Sequence, residues 1–217
     1  MSSDNKWLSE LRAERAVAVL RADDADLAYD AACAILEGGI RAIEVTMTVP
    51  AADRVIERLV DVESALVGAG TVLTAEEVDR CIDKGARFIF SPACCPDVVA
   101  RAKERGVPVI PGAMTPTEIL EAWRSGADMV KVFPAARLGP AYLSDIRGPL
   151  PDIPLVPTGG ITDENARDYL DAGAALLCLG SWLADRTLMN AGRFGQITER
   201  ARAIRRILDE YGDSSDG

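Results

Sequence analysis

One lysine lies inside an apolar stretch of the chain, where a charged side chain is rarely found. Lys131 is flanked by Val130 and Val132 in the run Met129–Phe133, whose composition is typical of a buried β-strand. Burial disfavours the ammonium form of a lysine and leaves an amine that can attack a carbonyl group. The sequence therefore indicates a lysine nucleophile, and the alternative is a structural lysine paired with a buried acid.

The acid that fits such a pairing is a glutamate in a second apolar run. Glu44 lies between Ile43 and Val45, again within a predicted strand. A carboxylate next to a Schiff-base nitrogen can shuttle protons during a reaction. We interpret Glu44 as a general acid and base, and the alternative is that it serves only as the charge partner of Lys131.

The rest of the composition excludes other kinds of chemistry. The 217 residues include no histidine, which removes Ser-His-Asp triads, Cys-His pairs and histidine-ligated metal sites. A formal net charge of −10 without a basic stripe argues against a nucleic-acid partner. The five cysteines, with Cys94 and Cys95 adjacent, lack regular spacing, so we expect free thiols in a reducing, cytoplasmic setting. No long apolar run follows the polar N-terminus, so we expect neither a signal peptide nor a membrane span.

Two kinds of segment alternate along the chain and position these residues. Short, continuous apolar runs recur about every 20–26 residues, as expected for strands buried on both faces. Segments with helical periodicity lie between them; these begin at typical N-cap residues, namely Asp24, Thr74, Thr115 and Thr162, and end at glycine. The runs cover residues 16–20, 42–45, 66–70, 88–90, 107–110, 129–133, 155–156 and 175–179, and the glycines are Gly38-Gly39, Gly85, Gly106, Gly126 and Gly173.

Eight strand–helix units after a leading helix around Asn5–Arg15 predict an α/β protein, a (β/α)8 TIM barrel. We expect one barrel domain over residues 1–217, with residues 212–217 as a disordered tail. The alternative is a doubly wound open sheet, which usually carries a Gly-rich phosphate turn after its first strand. The first strand here ends in Leu20-Arg21-Ala22, which is not such a turn.

Residues suited to ligand binding stand at the carboxyl ends of the predicted strands, where the active sites of such barrels lie. They are Arg21, Glu44 with Thr46, Thr71, Ser91 with Pro92, Pro111 with Gly112, Lys131 with Phe133, Thr158 with Gly159 and Gly160, and Gly180 with Ser181. We expect the last two loops, each opening a helix, to bind a phosphate, and Arg21 with Thr71 to bind a carboxylate. Each of these predictions has a simpler alternative. Gly159-Gly160 could form only a tight turn, and Arg21 could be a solvated charge. Ser91-Pro92 and Pro111-Gly112 could serve only to shape the turns after their strands.

In their order along the chain, these motifs resemble the 2-keto-3-deoxy-6-phosphogluconate / 4-hydroxy-2-oxoglutarate aldolase family. The resemblance extends from Arg15 to Leu183 and is carried by the ordered set rather than by any one motif. The motifs are Glu44-Val45-Thr46, Gly68-Ala69-Gly70-Thr71, Ser91-Pro92, Pro111-Gly112, Lys131-Val132-Phe133-Pro134, Pro157-Thr158-Gly159-Gly160 and Gly180-Ser181. The resemblance implies a homotrimeric barrel that acts as a class I aldolase, without a metal or another cofactor.

The same resemblance implies a role for each matching residue. Lys131 forms the Schiff base with pyruvate, and Glu44 acts as general acid and base through a water molecule. Thr71 helps to bind the pyruvyl carboxylate, and Pro92 and Phe133 are walls of the pocket. The remaining substrate-binding residues are Thr158 and the phosphate-binding set Gly159, Gly160, Gly180 and Ser181.

One position departs from the pattern of many family members. They carry an arginine two residues after the threonine of the Glu-Val-Thr motif, whereas this chain has Thr48. A second branch of the family combines the same Thr-Val-Pro ending with an arginine at the end of the first strand, and Arg21 fits that arrangement. We therefore expect Arg21 to bind the substrate carboxylate.

Three hypotheses for the function are open, of which the first is the one that the resemblance implies. The first is reversible cleavage of 2-keto-3-deoxy-6-phosphogluconate to pyruvate and glyceraldehyde 3-phosphate, with activity on 4-hydroxy-2-oxoglutarate. The galactonate-derived epimer is an alternative substrate, although the motif Pro157-Thr158-Gly159-Gly160 favours the gluconate compound. The second is another phosphate-handling barrel enzyme, an isomerase or decarboxylase, that uses Lys131 as a charge. The third is a sugar-phosphate sensor, which has no need of both Lys131 and Glu44.

Overall fold

The computed structural model describes residues 5–215, and their side chains up to residue 212. Strands and helices alternate over this part of the chain. The strands are β1 (Ala16–Leu20), β2 (Ala42–Thr46), β3 (Leu66–Gly70), β4 (Ile89–Phe90), β5 (Val109–Ile110), β6 (Gly112–Ala113), β7 (Val130–Val132), β8 (Leu155–Pro157) and β9 (Leu177–Leu179). The helices are α1 (Lys6–Glu14), α2 (Ala25–Glu37), α3 (Ala52–Val60), α4 (Ala75–Asp83), α5 (Pro96–Glu104), α6 (Pro116–Arg124), α7 (Gly139–Arg147), α8 (Ala166–Asp171), α9 (Arg186–Asn190) and α10 (Phe194–Ser215), with a 3-10 helix at Ala135–Arg137.

The strands form one closed parallel barrel. Six of them pair in the order β5-β4-β3-β2-β1-β9, and three pair in the order β6-β7-β8. The backbone N–H of Lys131 donates to the carbonyl of Pro111 (2.9 Å), which connects the two groups on one side. A bridge between Thr158 and Cys178 connects β8 to β9 on the other side. The predicted (β/α)8 barrel, with its extra N-terminal helix, is thereby confirmed.

The fifth barrel strand differs from the sequence prediction. A single strand is expected over residues 107–110, whereas the structure has β5 and β6 on either side of Pro111. Proline has no backbone N–H to donate to a neighbouring strand, so it interrupts the ladder. Its carbonyl still accepts a hydrogen bond, so the barrel wall continues across the interruption.

Local signals set most helix boundaries, as the sequence predicts. The side chain of Asp24 accepts hydrogen bonds from two backbone N–H groups at the start of α2, and Thr115 forms a capping box with Glu118 at the start of α6. The helices α4 and α6 end just before Gly85 and Gly126, whose φ angles of +102° and +103° suit glycine. The expected succession of strand, helix and glycine is therefore present.

The start of α8 is an exception. Thr162 is expected to cap this helix, but the helix begins only at Ala166. The Asn165 side chain accepts a hydrogen bond from the N–H of Thr162 (2.9 Å) and donates one to the carbonyl of Gly160 (2.9 Å). The Asn165 side chain thus holds residues 160–165 in a loop, so these residues do not form the first turn of α8.

The chain after the last strand also differs from the prediction. Two helices, α9 and α10, follow β9, where the sequence pattern predicts one. The helix α10 continues to Ser215, so it includes the first four residues of the segment 212–217 that we expected to be disordered. The last two residues of that segment lie outside the described part of the chain. None of the described helices combines the length and the apolar composition needed to cross a membrane.

Side chains of successive strand residues point alternately into the barrel and toward the surrounding helices. The interior cluster consists of Val17, Val19, Ala42, Leu66, Phe88, Phe90, Ile110, Met129, Val156, Leu176 and Cys178, together with Leu11 of α1. Ala42 and Met129 face the interior, so Glu44 and Lys131, each two residues further along its strand, face it as well. The alternation therefore directs the two candidate catalytic side chains toward each other.

Candidate active site

Lys131 and Glu44 form a buried pair inside the barrel. Their side chains are 2% and 0% exposed, and Nζ of Lys131 lies 3.9 Å from Oε1 of Glu44. This distance is too long for a hydrogen bond. Both carboxylate oxygens of Glu44 lack a hydrogen-bond partner among the described residues. A buried carboxylate in this condition is suited to accept a hydrogen bond from a substrate or a water molecule.

Two glycines of β3 make room for this pair. A Cβ atom at Gly70 would lie 1.8 Å from Oε1 of Glu44, and a Cβ atom at Gly68 would lie 2.2 Å from the ring of Phe88. Glu44 is in register with Gly68 in the parallel ladder of β2 and β3. The motif Gly68-Ala69-Gly70 is therefore explained by the volume that the Glu44 carboxylate and the Phe88 ring occupy.

Aromatic rings enclose the lysine amine. Nζ of Lys131 lies 5.3 Å from the ring centroid of Phe133 and 5.6 Å from that of Phe90, both within the range of cation–π contacts. Phe133 therefore lies beside the amine, and its role as a pocket wall stays a prediction. Phe90 was not among the predicted site residues, although its place two residues before Pro92 on an alternating strand was a signal for it.

Burial determines the protonation behaviour of the carboxylate. The pKa of Glu44 is raised, first because burial disfavours the charged form, while the charges of Lys131 and Arg21 oppose this effect. A glutamate with a raised pKa exchanges a proton closer to neutral pH than an exposed one does. Glu44 is therefore suited to donate and accept protons beside the amine of Lys131.

A buried thiol, Cys178, lies near the same pair, and the sequence did not indicate its place at the site. Burial, together with the nearby charge of Glu44, raises the pKa of Cys178 to about 12. Cys178 is fully buried in the interior cluster, and its backbone pairs with Thr158. A thiol with this pKa is protonated at neutral pH, so Cys178 acts as a small apolar residue under the site.

The structure places the two proposed carboxylate-binding residues at the ends of β1 and β3, the strands on either side of β2. Arg21 directly follows β1 and is exposed, and its charge reaches Glu44 on β2. Thr71 directly follows β3 and has a φ of +59°, a conformation that β-branched residues rarely adopt. Such local strain is typical of residues whose orientation matters at a site.

The proposed phosphate-binding loops lie on the other side of Arg21. Gly159 and Gly160 have φ angles of +93° and +75°, and a Cβ atom at Gly160 would lie 2.5 Å from that of Ala136. The carbonyl of Gly180 accepts hydrogen bonds from two N–H groups further along the chain, so a helical turn begins there, and Ser181 is exposed. Only the second loop opens directly into a helical turn; the first is separated from α8 by the Asn165 loop.

The turns after β4 and around Pro111 have a mainly structural explanation. Ser91 is fully buried and its Oγ lies 3.7 Å from Sγ of Cys95. A Cβ atom at Gly112 would lie 2.2 Å from the carbonyl oxygen of Pro92, so the two turns are in close contact. Pro92 and Phe133 do line a common cleft of about 420 Å³ beside the site.

A closed (β/α)8 barrel that buries a lysine amine and a carboxylate at its carboxyl end is an enzyme scaffold of the kind used by lysine-dependent aldolases. Among the described residues, no group of three or more Cys, Asp or Glu could hold a metal ion. The sequence model of the family described as KDPG and KHG aldolase matches residues 8–200. The chain belongs to this family and is an aldolase, a carbon–carbon lyase.

Named relatives agree with the family. A 2-dehydro-3-deoxy-phosphogluconate aldolase from Treponema pallidum (strain Nichols) is 37% identical over 196 residues, which cover 89% of this chain and 93% of that protein. A 2-dehydro-3-deoxy-6-phosphogalactonate aldolase from Escherichia coli (strain K12) is 36% identical over 187 residues, which cover 82% and 91%. A structure of a KDPG aldolase from Legionella pneumophila, with pyruvate captured at low pH as a covalent carbinolamine intermediate, covers 93% of this chain and 98% of that one at 30% identity and a TM-score of 0.84.

The raised pKa of Glu44 predicts a pH-dependent effect of Glu44→Gln on stability. The ordinary pKa is 4.5 and the folded-state pKa is higher, so as the pH rises the unfolded chain loses this proton first and the wild-type fold is destabilised. Glutamine cannot ionise. We expect the unfolding free energy of Glu44→Gln, relative to wild type, to increase as the pH rises from 4.5 to the folded-state pKa and to stay constant above it, as measured by urea unfolding.

Glu118→Gln is the control of opposite sign. Hydrogen bonds from the backbone N–H groups of Met114 and Thr115 lower the pKa of Glu118. Its stabilising effect is therefore present above its ordinary pKa and is lost as the pH falls through the lower folded-state pKa. Glu118→Gln should lose stability relative to wild type as the pH rises. If the unfolding free energy of Glu44→Gln, relative to wild type, also decreased as the pH rises, the burial argument would be contradicted.

Proposed function

We propose that this aldolase cleaves 2-keto-3-deoxy-6-phosphogluconate reversibly to pyruvate and glyceraldehyde 3-phosphate, and that it also accepts 4-hydroxy-2-oxoglutarate. The observation that carries the proposal is the buried amine of Lys131, 3.9 Å from a carboxylate without a hydrogen-bond partner among the described residues. The carbinolamine that pyruvate forms in the Legionella pneumophila relative supports the same chemistry here.

The first stage joins substrate and enzyme covalently. Transfer of the ammonium proton of Lys131 to Glu44 leaves an uncharged amine, which attacks the C2 carbonyl carbon of the substrate and forms a carbinolamine. Loss of water, with a proton supplied by Glu44, gives a protonated imine. The positive nitrogen of this imine can accept the electron pair of a neighbouring bond, so the reaction requires no metal or other cofactor.

The second stage breaks the C3–C4 bond. Glu44, now a carboxylate, accepts the proton of the C4 hydroxyl through a water molecule, and the electron pair of the C3–C4 bond moves to the imine to form an enamine. The aldehyde leaves, Glu44 returns a proton to C3, and water hydrolyses the imine to release pyruvate and the free amine. General acid–base catalysis of this kind contributes roughly 10²–10⁴-fold to the rate.

The remaining residues bind the two ends of the substrate. We assign Arg21 and Thr71 to the carboxylate beside the reacting ketone, because both follow strands adjacent to that of Glu44. The phosphate is assigned to the loops after β8 and β9, with the residues Thr158, Gly159, Gly160, Gly180 and Ser181. Pro92 and Phe133 form one wall of the substrate pocket, and the same two residues line the cleft beside it.

The galactonate-derived epimer is a second candidate substrate. The relative from Escherichia coli is named a 2-dehydro-3-deoxy-6-phosphogalactonate aldolase and is nearly as similar as the phosphogluconate relative. Both compounds use the same covalent chemistry and differ in the configuration at C4. Comparison of kcat/KM for the two compounds on the purified protein distinguishes them.

Lys131→Met tests the Schiff base. The substitution replaces a buried amine with an apolar chain of similar length, so the fold should remain while activity is lost. Treatment of wild type with pyruvate and borohydride should add mass to the peptide that contains Lys131, and the variant should stay unmodified by mass spectrometry. Turnover by a folded Lys131→Met protein would favour an enzyme that uses Lys131 only as a charge, and binding without turnover in wild type would favour a sensor.

Two further variants test the division into carboxylate and phosphate subsites. Arg21→Ala should lower kcat/KM for both the six-carbon phosphate and 4-hydroxy-2-oxoglutarate, because every 2-keto acid carries the carboxylate. Ser181→Ala should lower it only for the phosphorylated substrate, by about 1–2 kcal/mol if one charge-assisted hydrogen bond is lost. An Arg21→Ala effect confined to the phosphorylated substrate would place Arg21 in the phosphate subsite.

We also propose that the protein is a cytoplasmic homotrimer. Two large apolar side chains in the loops after β3 and β6, Leu73 and Met114, are 51% and 42% exposed in the single chain, which favours an interface at this end of the barrel. Cyclic symmetry would use the same pair of surfaces in each contact. Light scattering should give three times the chain mass of 23.2 kDa, and a monomeric mass at micromolar concentration would contradict the trimer.

A further inference from the structure

Two threonine hydroxyl groups hold the backbone on the N-terminal side of Arg21. Thr46 is fully buried, and its Oγ1 donates to the carbonyl oxygen of Leu20 (2.8 Å). Thr46 and Thr48 share a second hydrogen bond between their Oγ1 atoms (2.8 Å). Because the single hydroxyl proton of Thr46 is already donated to Leu20, Thr48 must be the donor in this second bond. The two threonines thus fix the peptide that precedes Arg21.

A carboxylate holds the backbone on the C-terminal side of Arg21. Asp23 forms an ion pair with Arg186 through Oδ1, and its Oδ2 accepts a hydrogen bond from Nδ2 of Asn190 (3.0 Å). Both partners belong to α9, which follows the Ser181 loop. Because β1 and β9 are neighbours in the barrel, Asp23 connects the loop after the first strand to the helix after the last one.

These contacts have a consequence for the charge of Arg21. Asp23 lies two residues away and could neutralise it, but both oxygens of Asp23 are engaged by α9. Arg21 itself has no ion-pair partner among the described side chains. The guanidinium therefore remains available for an anionic ligand.

We propose that Asp23 is a positioning residue for Arg21. By binding Arg186 and Asn190, it holds the loop between β1 and α2 against α9. This contact keeps Arg21 free for the carboxylate of a 2-keto acid and fixes its distance from the Ser181 loop. The inference rests on the proposed function and adds to it the contact that sets the separation of the carboxylate and phosphate subsites.

The exposure of the pair favours this role over a contribution to folding. The side chains of Arg186 and Asp23 are 63% and 43% exposed, and ion pairs at such positions contribute little to stability. Positioning requires only that the loop adopts one arrangement before the ligand arrives, which lowers the entropic cost of binding.

The test measures the pyruvate concentration at which borohydride trapping of Lys131 reaches half its maximum. Asp23→Ala and Arg186→Met should each raise this concentration about tenfold, equivalent to about 1.4 kcal/mol, with the maximal trapping rate near that of wild type. In an Arg21→Ala background, Asp23→Ala should have no further effect, because its action passes through Arg21. The exchanged pair Asp23→Arg with Arg186→Asp should recover part of the loss.

Asp26→Ala is the matched control, because it removes an exposed ion pair with Arg58 (2.7 Å) at the start of α2 and should leave the pyruvate dependence unchanged. The inference is overturned if Asp23→Ala behaves like this control or adds fully to Arg21→Ala. If thermal unfolding shows that Asp23→Ala is not folded, Arg186→Met replaces it. This variant keeps Asp23 but removes its ion pair, so the pyruvate concentration for half-maximal trapping can still be compared with that of wild type. A wild type that traps no pyruvate rejects the proposed function and this inference together, whereas normal trapping with an unaffected Asp23→Ala rejects the inference alone.

Discussion

The enclosure of two opposite charges in the barrel interior is the constraint on which the rest of the site depends. Lys131 and Glu44 are almost fully buried and 3.9 Å apart, so each offsets part of the desolvation cost of the other without a direct hydrogen bond. The neighbouring strand must then leave space for the carboxylate, and Gly70 does so at the expense of a side chain in the barrel interior. The side chain that position 70 lacks leaves the volume in which the Glu44 carboxylate lies beside Lys131.

Features with local causes could be predicted from the sequence. The strands were visible as continuous apolar runs because both faces are buried, and the caps at Asp24 and Thr115 form with residues two or three positions away. Lys131 was identifiable because a charge in an apolar strand requires an explanation. In the structure, the alternation of strand residues directs Lys131 and Glu44 to the same interior surface.

Features that depend on distant contacts could not be predicted. The competing loop at Asn165 and the division of the fifth strand at Pro111 arise from particular backbone partners, which a periodic pattern does not contain. The ion pair between Asp23 and Arg186 joins residues 163 positions apart, and only the closure of β1 against β9 brings them together. For the same reason, the three-dimensional neighbours of the pair, Phe90 and Cys178, were missed although their periodicity was available.

Local placement of charge reconciles an acidic chain with an anionic substrate. The net charge is −10, yet at physiological ionic strength exposed charges are screened within about 8 Å, so only groups at the barrel mouth act strongly on a bound ligand. There the carboxylate of Asp23 is bound to Arg186 and Asn190, and that of Asp24 accepts two backbone hydrogen bonds from α2. The two acids of the loop that carries Arg21 are therefore already satisfied, and the mouth presents its arginine and the N–H groups of its glycine loops. The same contacts that fix the loops also remove the competing anions, so positioning and electrostatic selectivity at this site have one structural origin.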